Sequence, residues 1–377
     1  MELKRAAHRP GEIGKRENGS DGGRTDVNIG LNLLRLVLTL GVIMDHFWWT
    51  PNPQELRGVD VALWQLRTLA VPAFMTMTFF FTARRFADGD SAWLRKRFAR
   101  LCEPFFFWAV VCFLGTSLVA RFDPSYSASL TDLLWQLALG HSKRLTLTQF
   151  WFHVDLLILT AVFFAAFRLV RTKAANVYLA IAAIAVGFSV QYSPSAMNAL
   201  FGWMPFEAKY PLGRVFPMLP YAGAGFLLAA ARRRIDAAPA GIRWAVALTG
   251  LWLAAWVVYA PVAPRPESVV GYEGINMALI AWGVMAMFYY IPFDRMPRAC
   301  SQVVLFLSRY CMGVYCIHNL LGKVLFDHVF HLARTKTQFG DIAVAPGWFW
   351  LFLWGLSYLV CWLISRIPVK LFKKVVE

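Results

Sequence analysis

Two ionisable side chains, Arg35 and His46, lie in the mainly apolar stretch of residues 29–49, with ten residues between them. On an α-helix, eleven steps make about three full turns, so both side chains project from one face, about 16 Å apart along the axis. At membrane depth an ionisable group costs about 2.5–3.5 kcal/mol on insertion scales and usually faces an interior cavity. The pattern therefore predicts a functional site along one face of a membrane-spanning helix.

The composition indicates a membrane protein. Of its 377 residues 58% are hydrophobic and only 16% are charged, whereas soluble domains carry about 25% charge. Apolar runs of about 20 residues, the length that crosses a bilayer as a helix, recur along the chain. We predict an all-α polytopic membrane protein with about ten transmembrane helices. The predicted spans are residues 29–49, 61–81, 101–119, 150–167, 174–190, 215–231, 244–259, 275–291, 303–326 and 348–364.

The net charge is +16, and the distribution of the basic residues agrees with the predicted topology. With the N-terminus in the cytoplasm, the basic clusters fall on one side of the membrane, which is the positive-inside pattern. The expected partners of this charge are the anionic headgroups of membrane lipids, and no nucleic acid. We predict that both termini are cytoplasmic, that residues 1–28 form a disordered basic tail, that residues 29–366 form the ten-helix membrane domain and that residues 367–377 form a second basic tail.

The six cysteines lie in or at the ends of the predicted spans, and none forms a close Cys-x-x-Cys pair. Neither a disulfide framework nor a zinc site is indicated, so we expect no metal.

His46, near the predicted outer end of the first span, is the candidate general base. Histidine is the side chain best suited to accept a proton near neutral pH, and general-base catalysis contributes about 10²–10⁴-fold. An interfacial histidine beside an aromatic belt is the alternative. Asp45 points about 100° away on the helix, so the partner that orients His46 stays open between Asp60, Asp155 and a backbone carbonyl.

Arg35 lies nearer the cytoplasmic end, where its planar guanidinium could bind a phosphate or pyrophosphate. A buried partner for a carboxylate is the alternative. Arg97 and Arg100, at the point where the chain re-enters the bilayer, could join the same anion site.

Further polar residues fall within or beside the predicted spans. Tyr315 and His318 are three residues apart and therefore share a helix face. Together with Asp45, Asp155 and Arg214 they are predicted to line a substrate cavity with the first span.

Three motifs give the chain a family resemblance. They are Leu34-Arg35 with His46 at the end of the same helix, Ser308 followed by Tyr315-x-x-His318, and Arg97-x-x-Arg100 followed by Pro104. The chain resembles, over residues 29–366, the acyltransferase-3 family of membrane enzymes that O-acylate bacterial surface and periplasmic glycans. Two departures from the family pattern are Thr82-Ala83-Arg84 after the second span and Glu103 before Pro104.

The resemblance implies a bacterial inner-membrane O-acyltransferase. Its donor would be a cytoplasmic acyl-CoA, most simply acetyl-CoA, and its acceptor a hydroxyl of a cell-surface or periplasmic glycan or glycolipid. His46 would be the catalytic base and Arg35 a catalytic and donor-binding residue. Arg97 and Arg100 would support the donor, and Tyr315 and His318 the cavity wall.

Two other classes of protein remain open. A transporter or flippase for a glycan or glycolipid would use the same polar stripe as a pathway, but inverted repeats and broken helix pairs, which favour that class, are not evident in the sequence. A sensory or scaffolding protein would have no need of buried Arg35 and His46. The enzyme hypothesis expects these two residues to open onto one common cavity.

Overall fold

The computed structural model describes residues 28–47, 59–123, 127–140, 148–170, 172–204, 206–259, 274–330, 334–337, 340–343, 345 and 347–376. The predicted N-terminal tail up to residue 27 and the side chain of Asp60 lie outside these residues. The described chain is helical apart from one short antiparallel hairpin, β1 (Arg334–Thr337) with β2 (Gly340–Ala343). Its helices are α1 (Ile29–His46), α2 (Val59–Asp88), α3 (Ser91–Val119), α4 (Leu130–Leu139), α5 (Trp151–Val170), α6 (Lys173–Gln191), α7 (Pro194–Phe201), α8 (Phe206–Asp236), α9 (Ala240–Tyr259), α10 (Ile275–Tyr290), α11 (Arg298–Ser308), α12 (Cys311–Val324), α13 (Gly347–Ser365) and α14 (Lys370–Val376).

Each predicted span overlaps a helix, and several of the helices can cross a membrane. Within the described residues, six helices are long and apolar enough, namely Ile29–His46, Leu66–Asp88, Ser91–Val119, Trp151–Val170, Leu212–Asp236 and Gly347–Ser365, and the bent pair α11–α12 makes seven. The apolar parts of α6, α9 and α10 are shorter. The class of a multi-pass helical membrane protein is confirmed, whereas the number of ten spans and the cytoplasmic termini stay predictions.

The predicted span at residues 303–326 is a bent pair of helices. The chain breaks between Ser308 and Cys311, and the two helical parts are bent by 62°. The Ser308 hydroxyl donates to the carbonyl of Leu305 at 3.1 Å, and the N–H of Tyr310 donates to the carbonyl of Leu307 at 2.9 Å, so the last turn tightens and α11 ends. No proline marks this break in the sequence.

The second predicted tail contains a helix that packs against the bundle. Val375 and Val376 of α14 are fully buried, and the indole N–H of Trp108 donates to the carbonyl of Val375 at 2.9 Å. Lys374 forms an ion pair with Glu103 of α3. Glu103, one of the two departures from the family pattern, therefore has a partner on α14.

Helix α1 packs against α2, α11, α12 and α13, and both of its ends are fixed. At its start, the side chain of Asn28 accepts a hydrogen bond from the N–H of Leu31 at 2.8 Å, which is an N-cap. At its end, the indole N–H of Trp350 on α13 donates to the carbonyl of Phe47 at 2.7 Å. His46, the last residue of α1, is therefore held by its neighbours along the chain.

Gly322 keeps α12 close to the end of α1, and replacing it tests this contact. A Cβ atom at Gly322 would lie 2.2 Å from Cζ of Phe47, whose buried ring packs against the rings of Phe326 and Phe349. We expect Gly322→Ala to lower the free energy of unfolding by about 1–3 kcal/mol, as overpacked cores do. Thermal unfolding in detergent measures this change.

Gly355 supplies the matched control, because a Cβ atom there meets nothing within 4 Å. Gly355→Ala is expected to unfold at the wild-type temperature or slightly above it, since alanine is favoured over glycine inside a helix. Equal midpoints for the two variants would contradict the tight packing of α12 on α1.

Candidate active site

A cavity of about 350 Å³ lies between the start of α1, the end of α2, the start of α3 and the break between α11 and α12. Its walls are mainly apolar, with arginine and hydroxyl side chains among them. The lining residues are Arg35, Phe74, Met77, Thr78, Phe81, Thr82, Arg97, Leu101, Phe152, Leu156, Ser308, Arg309, Cys311, Met312 and Tyr315. The cavity therefore offers cationic groups together with an apolar interior.

Arg35 and Arg97 share this cavity, and in the part of the chain that the structure describes neither forms an ion pair with a carboxylate. The guanidinium carbon of Arg35 lies 5.9 Å from the ring centroid of Phe81, and the buried Nε of Arg97 has no hydrogen-bond partner among the described groups. Two like charges in one apolar cavity repel each other. A bound anion would relieve this repulsion and supply the missing acceptors.

The N-terminus of α12 reaches the same cavity. Cys311 and Met312, its first two residues, line the wall, and Tyr310 at the N-cap position makes no side-chain capping bond. The first N–H groups of a helix have no partner within the helix, and they carry the positive end of its dipole. A helix N-terminus beside arginines is a suitable site for phosphate.

Arg100, the third arginine that the sequence suggested for this site, does not line the cavity. Its side chain is exposed on α3, and its Nε–H donates to the carbonyl of Lys96 at 3.4 Å. Arg309, from the broken helix, lies in the cavity wall instead. The helix break, which brings Arg309 there, has no signal in the sequence.

His46 lies beside His318. Their ring centroids are 5.1 Å apart and the rings are tilted by 40°. Nδ1 of His318 lies 3.1 Å from the carbonyl oxygen of Val314. Because a carbonyl only accepts, Nδ1 carries the proton and Nε2 keeps its lone pair. Nε2 of the fully buried His318 has no hydrogen-bond partner among the described residues, so it is available to a reacting group.

Tyr315 lies close to both the cavity and His318. It lines the cavity, and its ring centroid is 6.3 Å from that of His318. His46 is not among the lining residues. That Arg35 and His46 open onto one common cavity therefore stays a prediction, and side-chain contacts through Tyr315 and His318 connect the arginine-lined cavity with His46.

Charged side chains of both signs surround the end of α1. Asp45 pairs with the buried Arg67 of α2 at 3.4 Å. The guanidinium carbon of the buried Arg214 lies 4.4 Å from the ring centroid of Trp151, and Arg214 is close enough to Asp45 and Asp155 to interact with both electrostatically. Opposite charges thus balance one another here, unlike in the cavity.

None of the carboxylates whose side chains the structure describes hydrogen-bonds His46. Asp45 faces Arg67, and the two carboxylate oxygens of the fully buried Asp155 have no hydrogen-bond partner in the described part of the chain. Nor do the described residues include a group of three or more His, Cys, Asp or Glu side chains that could hold a metal ion.

Two residues of the site were not foreseen: Arg67 and Gln149. Arg67 is a charged residue within the predicted second span. The rule that points to Arg35, the cost of charge at membrane depth, would have identified it. Gln149 precedes α5 in a 3₁₀ turn, Thr148–Phe150, outside any predicted span, and no sequence pattern indicates its contacts.

Apolar spans around a cationic cavity and a histidine pair define an integral membrane protein with a buried polar site. Residues 28–366, nearly the whole chain, match the sequence model of the acyltransferase-3 family, which is described as an acyltransferase domain. The chain belongs to this family and is a membrane acyltransferase. Comparison with curated proteins and with solved structures gave no match.

The ion pair of Asp45 and Arg67 gives a test of the charge arrangement. Removing one partner of a buried ion pair costs about 3–5 kcal/mol, because the other charge is left uncompensated, whereas removing both is often neutral. We expect Asp45→Asn and Arg67→Met each to lower the unfolding temperature in detergent, and the double variant to recover most of the loss. A double variant as unstable as the sum of the two single variants would show that the pair is not coupled.

Proposed function

We propose that this protein is an O-acyltransferase that takes a short acyl group from acyl-CoA on the cytoplasmic side and transfers it to a hydroxyl of a glycan on the other side. The observation that carries the proposal is the cavity in which Arg35 and Arg97 have no acidic partner among the described residues and meet the N-terminus of α12. A donor that bears phosphates supplies the charge that these groups lack.

The donor would bind with its phosphates at the arginines and its thioester deeper in the cavity. Phe152, Leu156 and Met312 provide apolar walls for an uncharged arm. The basic clusters of the sequence place the arginine end of α1 on the cytoplasmic side by the positive-inside rule. Acetyl-CoA is the simplest donor of this kind.

In the proposed reaction His46 acts as general base. It takes the proton of the acceptor hydroxyl while the hydroxyl oxygen attacks the thioester carbonyl. The tetrahedral intermediate then collapses, the carbon–sulfur bond breaks, and the CoA thiolate leaves and takes up a proton. The products are an O-acyl ester and free CoA. Nε2 of His318, beside the His46 ring and without a described partner, can accept a hydrogen bond from the acceptor hydroxyl or from a protonated His46.

The acceptor belongs on the side where His46 lies, the outer end of α1. We propose a cell-surface or periplasmic glycan or glycolipid, modified at the bacterial inner membrane. The family membership of the chain supports acyl transfer. The acceptor follows from the resemblance to enzymes that modify such glycans and from the outward position of His46.

One observation favours a second candidate, a glycan or glycolipid transporter. Helices α11 and α12 form a broken pair bent by 62°, a feature that the sequence did not reveal. Broken helices at membrane depth occur at the substrate sites of transporters. The break also fits the enzyme, because it turns a helix N-terminus toward the donor cavity.

The first test replaces the proposed base. We expect His46→Gln protein to insert and accumulate normally, while acylation of surface and periplasmic glycans falls by about 10²–10⁴-fold, the usual contribution of a general base. Mass spectrometry of the glycans measures acylation, and immunoblotting of membranes measures the amount of protein.

The matched control is His328→Gln, since His328 is only partly buried and lies near Asp123, and acylation should be retained. If His46→Gln stops export of the glycan but leaves acyl transfer in membrane vesicles unchanged, the protein is a transporter and the proposal is wrong.

The second test concerns the donor site and compares two arginines that are three residues apart on α3. Arg97 lines the cavity and Arg100 does not. A hydrogen bond to a charged group is worth about 1.5–3 kcal/mol, so Arg97→Gln should weaken binding of CoA about 10- to 100-fold. Arg100→Gln should change it less than about threefold, because an exposed charge is screened. Calorimetric titration of purified protein with CoA measures both, and equal effects would argue against the cavity as donor site.

A further inference from the structure

Gln149 makes three hydrogen bonds to one short stretch of α12. Its side-chain Nε2–H donates to the carbonyl of Cys316 at 3.2 Å, and its Oε1 accepts from Nδ2 of Asn319 at 3.0 Å. Its main-chain carbonyl accepts from the hydroxyl of Tyr315. Gln149 is only 2% exposed, so water does not compete for these bonds.

The three bonds lie on both sides of His318 along α12. They contact α12 at residues before and after the histidine, and they come from the 3₁₀ turn that precedes α5. Because hydrogen bonds are directional, bonds at several positions of a helix fix its rotation about its own axis as well as its height. The rotation of α12 decides whether the His318 ring meets the His46 ring at 5.1 Å or turns away from it.

We propose that Gln149 is a positioning residue of the acyl-transfer reaction, which fixes α12 so that Nε2 of His318 faces the reacting groups beside His46. This inference rests on the proposed function. Glutamine suits the role because its amide donates and accepts at once, and both capacities are used. A misplacement of about 1 Å can cost about 10²-fold in rate without abolishing binding.

The donor cavity is independent of the Gln149 side chain. Arg35, Arg97 and the N-terminus of α12 line the arginine end, and the amide of Gln149 contacts Cys316 and Asn319, which are not among the lining residues. Loss of the amide should therefore slow the chemical step and leave donor binding intact. This separation distinguishes positioning from a general loss of structure.

The decisive variant is Gln149→Met, which keeps the length of the side chain and removes the two hydrogen bonds of its amide while the main-chain bond to Tyr315 stays. Membrane vesicles from cells that make the native glycan receive radiolabelled acetyl-CoA, and the rate per amount of immunodetected protein is followed as the donor concentration is varied. We expect the maximal rate to fall about 10- to 100-fold while the KM for acetyl-CoA changes less than threefold. Unchanged rate, or a loss seen mainly in the KM, would overturn the positioning role.

Gln136 offers the matched control. It is as deeply buried as Gln149, on α4, but neither its Nε2 nor its Oε1 has a hydrogen-bond partner among the described residues. Gln136→Met should leave both the rate and the KM unchanged. A loss as large as that of Gln149→Met would mean that any buried glutamine is needed for folding, and the inference would be wrong.

A second variant tests the same interaction in case Gln149→Met does not fold. Asn319→Leu removes the other partner of the Gln149 amide and should show the same fall in rate with unchanged KM. Since the two residues share one interaction, the double variant should be no more than about twofold slower than the slower single variant. Independent, multiplying effects would overturn the inference. If wild-type vesicles transfer no label to glycan, the proposed function fails, and the inference fails with it.

Discussion

The break between α11 and α12 is the feature on which the rest of the site depends. Inside a bilayer, backbone N–H and C=O groups without partners cost several kcal/mol each, so non-helical backbone survives there only where it is buried in protein or lines a cavity. Here the break lies in a cavity wall and turns the N-terminus of α12 toward Arg35 and Arg97. The same helix, two turns further, brings His318 to His46. One interruption of the backbone thus brings a helix N-terminus to the two arginines and a second histidine to His46.

Charges are compensated by neighbouring side chains at one end of the site and not at the other. Around the end of α1, Asp45 pairs with Arg67, and Arg214 is close to both Asp45 and Asp155, so positive and negative groups compensate one another within the protein. In the cavity, Arg35 and Arg97 have no such compensation from the described residues. Compensated charge at membrane depth is compatible with a structural role, whereas uncompensated charge indicates a ligand of opposite sign. This contrast is the physical reason why the proposed function puts the phosphates of its donor at the arginines and not near His46.

The sequence alone predicts the parts of this arrangement that follow from helical period and span length. Arg35 and His46 could be placed on one face of one helix because only the period of α1 matters. Arg100 shows the limit, because its distance from Arg97 says nothing about which of them faces the interior, and only the packing of α3 decides. The break after Ser308 has no proline, and the structure shows there a tight turn with hydrogen bonds from Ser308 and Tyr310 to carbonyls three residues back. Gln149 could not be foreseen, because its role depends on contacts with residues more than 160 positions away.

Tyr315 connects the cavity with the histidine pair, because it lines the cavity and its ring centroid lies 6.3 Å from that of His318. Its hydroxyl donates to the main-chain carbonyl of Gln149. A ring held at both its backbone and its hydroxyl cannot swing aside without breaking a buried hydrogen bond, and an unpaired buried group costs about 1–3 kcal/mol. The cost holds the Tyr315 ring in place beside His318, so one fixed side chain contacts both the cavity and the histidine pair.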